Sequence, residues 1–81
     1  MKTYVYHLSY AYLIKKSDFP AGVFSADEKR RYIPAMEMRD AYTDSEKRLN
    51  KKTVIKDFTE TMRAHGKRVT VYACDMFTVE D

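Results

Sequence analysis

The sequence predicts an α+β domain: a three-stranded sheet (β-β-α-β, strand order 2-1-3) with one main helix packed on one face. Three observations carry this prediction. Thr3–Ile14 alternates with a period of two and is rich in tyrosine and apolar side chains. Val54, Ile55, Phe58 and Met62 recur at helical spacing. Val69–Phe77 then returns to β-branched and aromatic residues. A chain of 81 residues forms a single domain, 1–81, since it has no room for two cores. Two glycines and two prolines are too few for a turn-rich β-sandwich. The single cysteine, Cys74, excludes an internal disulfide and a CxxC zinc site.

The first strand, Thr3–Ile14, places Tyr4, Tyr6, Leu8, Tyr10, Tyr12 and Ile14 on one face. Val5, His7, Ser9, Ala11 and Leu13 occupy the other. Both faces are largely apolar, which suits a central strand. Lys15-Lys16-Ser17-Asp18 ends it, and Phe19-Pro20-Ala21-Gly22 is a turn signal. Val23–Tyr32 is read as a second strand. Its charged middle, Asp27-Glu28-Lys29-Arg30-Arg31, suits a sheet edge. A helix starting near Ser25 is the alternative.

Ile33-Pro34 breaks the chain direction. Residues 35–48 are read as an irregular or short helical connection. Asn50 is the expected N-cap of the main helix, about residues 51–65, and Gly66 its stop. The third strand covers Val69–Phe77. Simple alternation puts Val69, Val71, Ala73 and Phe77 on one face, with Asp75 interrupting it at a bulge or an exit from the core. Thr78–Asp81 is expected to fray.

The tyrosine stripe is the first candidate site. Ser9 and Ala11 on the opposite face permit close approach of a helix. The leading expectation therefore seats the helix on the Val5/Ala11 face and turns Tyr4, Tyr6, Tyr10 and Tyr12 outward as a partner-binding surface. Tyrosine suits such a role, being enriched in interface hot spots. The alternative packs the tyrosines beneath the helix with their hydroxyls at the rim.

The second candidate is a basic stripe. Residues 47–68 hold eight cationic side chains against Asp57 and Glu60, giving +6, while the rest of the chain carries −3. Lys52, Lys56 and Arg63 share one helix flank, and Lys67 extends it. The flank would contact phosphates or an acidic protein surface, or simply be solvated.

Other constellations are poor. His7 and Cys74 should face opposite sides of the sheet if Val5 and Val69 share the helix-facing side, which undermines a Cys74–His7–Asp75 nucleophilic set. His65 sits where it can meet the last helix carbonyls. Asp40, Asp44 and Glu46 lack EF-hand spacing. No metal site, cofactor site or phosphate-cradling loop is read. No apolar run approaches the ~20 residues of a membrane helix. Met1–Val5 enters the first strand at once and holds no secretory-type apolar stretch, which with the lone thiol predicts a cytoplasmic protein.

The layout resembles the small α+β accessory or inhibitor proteins of phages and prophages. The likeness lies in the Tyr4–Tyr12 opening strand, the Gly22-Val23-Phe24-Ser25 start of a second segment, the Val54–Met62 helix and the closing Val69–Met76 strand. It implies a protein that binds and blocks a host protein, and it assigns no site residue. The functional expectation is a non-enzymatic interaction module that binds a protein partner or itself as a homodimer. The alternative is a nucleic-acid-binding domain using Lys52, Lys56, Arg63 and Lys67.

Overall fold

The computed structural model describes residues 1–80. It is an α+β fold whose elements run β1 (Lys2–Lys15), a single 3-10 turn (Lys16–Asp18), β2 (Tyr32–Pro34), β3 (Arg39–Ser45), α1 (Lys51–Ala64) and β4 (Val69–Glu80). All strand pairs are antiparallel and all involve β1. β2 pairs with Leu13–Lys15 and β3 with Tyr4–Tyr10. They lie end to end along one edge of β1, while β4 pairs with Lys2–Tyr12 along the other. The sheet therefore has four strands but is only three ribbons wide. Because β3 and β4 are each antiparallel to β1, they run parallel to one another. α1 is the crossover between them.

The length of β1 shapes the molecule. Fourteen residues at ~3.4 Å each span roughly 48 Å, close to the 54 Å longest extent of the fold. The helix is as expected. The Asn50 side chain accepts a hydrogen bond from the Lys52 backbone N–H at 2.8 Å, filling one of the unpaired donors of the first turn. Gly66 follows at φ 78°, a conformation that favours glycine.

Five expectations need correction, the last at the tyrosine face. Residues 23–31 are not a strand; only Tyr32–Pro34 pairs with β1. The segment closes on itself instead. Val23 N–H bonds Pro20 C=O, Glu28 N–H bonds Ser25 C=O, and the Phe19 and Phe24 rings meet edge-on at 4.9 Å. The Glu28 carboxylate also accepts from the backbone and guanidinium of Arg30, two residues on. Such local bonds compete with a ladder.

Residues 39–45, expected to be irregular or helical, form β3. Pairing with β1 supplies the backbone hydrogen bonds that its polar side chains do not announce. Third, the expected fraying from Thr78 does not occur, since β4 continues to Glu80, whose partner is Lys2.

The fourth correction concerns the bulge. Register along β4 shifts between Ser9↔Ala73 and Tyr10↔Val71, so Tyr72 is the extra residue rather than Asp75. One inserted residue inverts the face of everything beyond it. Val69 and Val71 thus join Cys74 and Met76 on the side of α1, while Ala73 and Phe77 turn to the opposite side. The four residues expected on one face are divided two and two.

α1 lies over the tyrosine face. Tyr6 and Leu8 are 1% and 0% exposed and pack with Val54; Tyr4, Ile55, Phe58, Val71, Cys74 and Met76 surround them. The outward tyrosine surface is therefore overturned at its centre: Tyr6 is buried and Tyr10 is 8% exposed, with its ring against Phe58 at 5.0 Å. Two physical reasons decide the face. The Tyr6/Leu8/Tyr10 side offers far more apolar area to bury. The other side carries Asp40, Asp44 and Asp75, which could be covered only at a desolvation cost.

Candidate interaction face

Two layers leave one side of the sheet bare. Strand alternation and the pairing register define it. β1 contributes Val5, His7 and Ser9, while Ala11 on the same side is fully buried; β3 contributes Asp40, Tyr42 and Asp44; β4 contributes Asp75, Phe77 and Val79. Tyr42 is 66% exposed and Phe77 47%, and Val79 is also exposed. Val5 and His7 are half-buried between their neighbours.

The centre of the face is ordered by side-chain contacts. His7 Nε2 lies 2.8 Å from Asp40 Oδ1. The Ser9 hydroxyl donates to the same carboxylate oxygen at 3.4 Å. The Tyr42 ring stacks on the His7 imidazole, 4.7 Å between centroids and 17° between planes. Asp75 is the residue opposite His7 on β4, so the imidazole sits between aspartate positions on both neighbouring strands. Ser9 bonds Asp40 rather than His7. The group thus lacks the nucleophile–base hydrogen bond of a hydrolytic set. The face sets aromatic and aliphatic area among three carboxylates.

The tyrosines of the sequence reading occupy other places. The Tyr6 hydroxyl donates to Leu49 C=O at 2.9 Å and accepts from Leu49 N–H at 2.6 Å. It thereby holds the segment entering the N-cap of α1. Tyr10 is a core ring whose ionisation is pushed up, first by burial and then by its hydrogen bond with Tyr12. Tyr4 is half-buried, with Lys2 Nζ 5.7 Å from its ring centroid. Tyr12, also half-buried, lies beneath Arg39 at 4.8 Å and Lys67 at 5.6 Å.

Lys52, Lys56 and Arg63 stand exposed on α1, and among the described residues none of them forms an ion pair. Lys67 is drawn away to Tyr12. Cys74 pairs with Leu8 on the helix side, opposite His7; Val5 and Val69 do not share a face, and it is the bulge at Tyr72 that separates the thiol from the imidazole. Burial raises its thiol pKa, with Lys51 acting in the other direction and Asp75 in the same one. A thiol so placed is a poor nucleophile. His65 Nδ1 is 2.8 Å from Thr61 C=O at the helix end.

Sequence reasoning missed Tyr42, Asp40 and Phe77. The signal for the first two was present: Asp40, Tyr42 and Asp44 alternate strictly. It went unread because the intervening Ala41 and Thr43 supply little apolar contrast. Phe77 lies on the side of Val5, as alternation expects, but α1 covers the other side; the bulge at Tyr72, which has no mark in the sequence, moves Val69 and Val71 instead.

Among the described residues, no helix is long and apolar enough to cross a membrane, and no three His, Cys, Asp or Glu side chains gather as a metal site. No family model, no curated protein and no solved structure matches this chain.

Proposed function

We propose that this chain is a small non-catalytic interaction module that binds a protein partner through the sheet face left bare by α1. The observation that carries this reading is the continuous surface of Tyr42, Phe77 and Val79, with Val5 between them, which no element of the fold covers. Aromatic rings of this kind supply contact area at low conformational-entropy cost. Asp40, Asp44 and Asp75 interleave with them. The complementary partner therefore presents apolar side chains flanked by lysine or arginine.

A second copy of the chain is a worse occupant. A two-fold contact uses the same patch twice, so it would set the aspartates of both copies against each other. The layout resemblance to phage and prophage inhibitors accords with a cytoplasmic module that works by occupying a host protein's surface. Such action needs only one face and no reaction centre.

The test uses isotope-labelled protein and an amphipathic peptide of alternating leucine and lysine as the probe. Backbone amide shifts should concentrate at Val5, His7, Tyr42 and Phe77. They should vanish in Tyr42→Ser/Phe77→Ser and be weak with a leucine–glutamate peptide. Shifts centred on α1, or equal response to both peptides, would sink the reading. Sedimentation adds a second check. Concentration-dependent dimers abolished by Phe77→Ser would make self-association the occupation of this face.

A further inference from the structure

We propose that the end of the molecule remote from that face is a binding site for single-stranded nucleic acid, centred on a basic cleft between the end of β1 and the start of β2. The cleft, about 530 Å³, is lined by Lys15, Lys16, Ser17, Lys29, Arg30, Arg31 and Tyr32. Five of these seven residues are cationic and none is acidic. Lys15 and Tyr32 also line an adjoining cleft with Arg68, Gly66 and Asp18. The cations thus form a row from Lys29–Arg31 past Lys15 to Arg68, with Asp18 as the carboxylate beside it.

Local chemistry holds the row in place. Glu28 forks onto Arg30, with both guanidinium contacts at 2.9 Å, and is spent there. Lys16 Nζ donates to Glu28 C=O at 2.6 Å, and Lys16 N–H donates to Arg31 C=O at 2.9 Å. These bonds tie the loop that carries Lys29 and Arg31 back to the end of β1. Arg30 is already engaged and Lys16 half-buried, so Lys15, Lys29, Arg31 and Arg68 are the free contacts.

Three features favour a nucleic-acid strand over an acidic protein segment. Arg31 and Arg68 present planar forks that match phosphate oxygens. The Arg68 guanidinium lies 4.6 Å from the Tyr32 ring centroid, and arginine and tyrosine planes are surfaces on which unpaired bases stack. The cations follow one another along adjoining clefts, as successive phosphates do. Lys15 lies eight residues beyond His7, roughly 27 Å along an extended strand, so the site is separate from the proposed protein-binding face.

The experiment measures fluorescence anisotropy of a labelled oligothymidine of about twelve nucleotides at ~20 mM salt, followed by a salt titration. Wild-type protein should bind. With about four phosphate contacts, log K should fall with log salt at a slope near −3. Lys29→Glu/Arg31→Glu, at two exposed positions, should weaken binding at least tenfold with an unchanged circular dichroism spectrum. The control reversal Lys52→Glu/Lys56→Glu on α1 should change it less than threefold. Absence of binding at low salt overturns the proposal. So does a larger loss in the α1 variant than in the cleft variant, which would move the contact to the helix. Equally effective competition by polyglutamate would assign the cleft to acidic protein instead.

Discussion

The two faces of one sheet show how similar strand residues reach opposite ends. On the α1 side, Tyr6 is buried and its hydroxyl is satisfied twice by Leu49. On the bare side, Tyr42 lies mostly in solvent and its ring stacks on His7. Both are tyrosines on strands of the same sheet. What separates them is the company of polar groups. The α1 side holds no aspartate in its core, whereas Asp40, Asp44 and Asp75 keep the other side wet. A tyrosine stripe is therefore not a surface by virtue of being tyrosine. It becomes core when the opposite face cannot be buried without stranding charge.

The sharpest way to break this contrast is to truncate one ring on each side. Tyr6→Ala removes a buried ring and the bonds that hold the entry to α1, with an expected cost of about 3–5 kcal/mol. A domain of this size has roughly 3–5 kcal/mol in total. Thermal melting should find the variant largely unfolded at 25 °C. Phe77→Ser should stay within about 0.5 kcal/mol of wild type in urea denaturation. Similar losses for both would mean that the faces are not distinct.

A smaller effect sharpens the same comparison through Cys74. Its thiol lies on the α1 side and burial raises its pKa. Reaction with a thiol reagent at neutral pH should be slow in the native protein and much faster after denaturation. Equal rates in the two states would place Cys74 in solvent and weaken the account of the bulge at Tyr72.

The smallest expected effect lies at Glu28, away from both faces. Its hydrogen bonds with Arg30 lower its pKa from the ordinary 4.5 to about 2. A carboxyl with a depressed folded-state pKa contributes stability that is present above its unfolded value. That contribution fades as pH falls from about 4.5 and is gone once pH passes below about 2. Because the pair is exposed, the change in global stability should be slight. Carbon-13 titration of the Glu28 carboxyl should show a midpoint near 2, and Arg30→Ala should return it toward the ordinary value. An ordinary midpoint in the wild type would remove the bond that ties the basic loop together.

Legibility followed the strength of local signals. β1 was readable because twelve residues alternate without a break. α1 was readable because Asn50, the Val54/Ile55/Phe58/Met62 face and Gly66 agree on one helix. β3 was hidden, since Asp40, Thr43, Asp44 and Ser45 are polar and its pairing comes from β1. The charged run before Tyr32 looked like an edge strand, yet short-range bonds around Ser25 and Glu28 captured it. The candidate face was lost with β3. The basic cleft was lost because Lys15-Lys16 and Lys29-Arg30-Arg31 lie in separate segments that only β1–β2 pairing unites.

By itself the sequence determined an α+β domain, a central first strand, a capped helix over residues near 51–65, and the two faces of β1. Those properties depend on periods, caps and turns, which act over a few residues. Tertiary structure alone decided which face α1 covers, where β4 bulges and which charges share a cleft. These depend on burying the larger apolar area while leaving the aspartates in water, a balance struck between strands far apart in the chain.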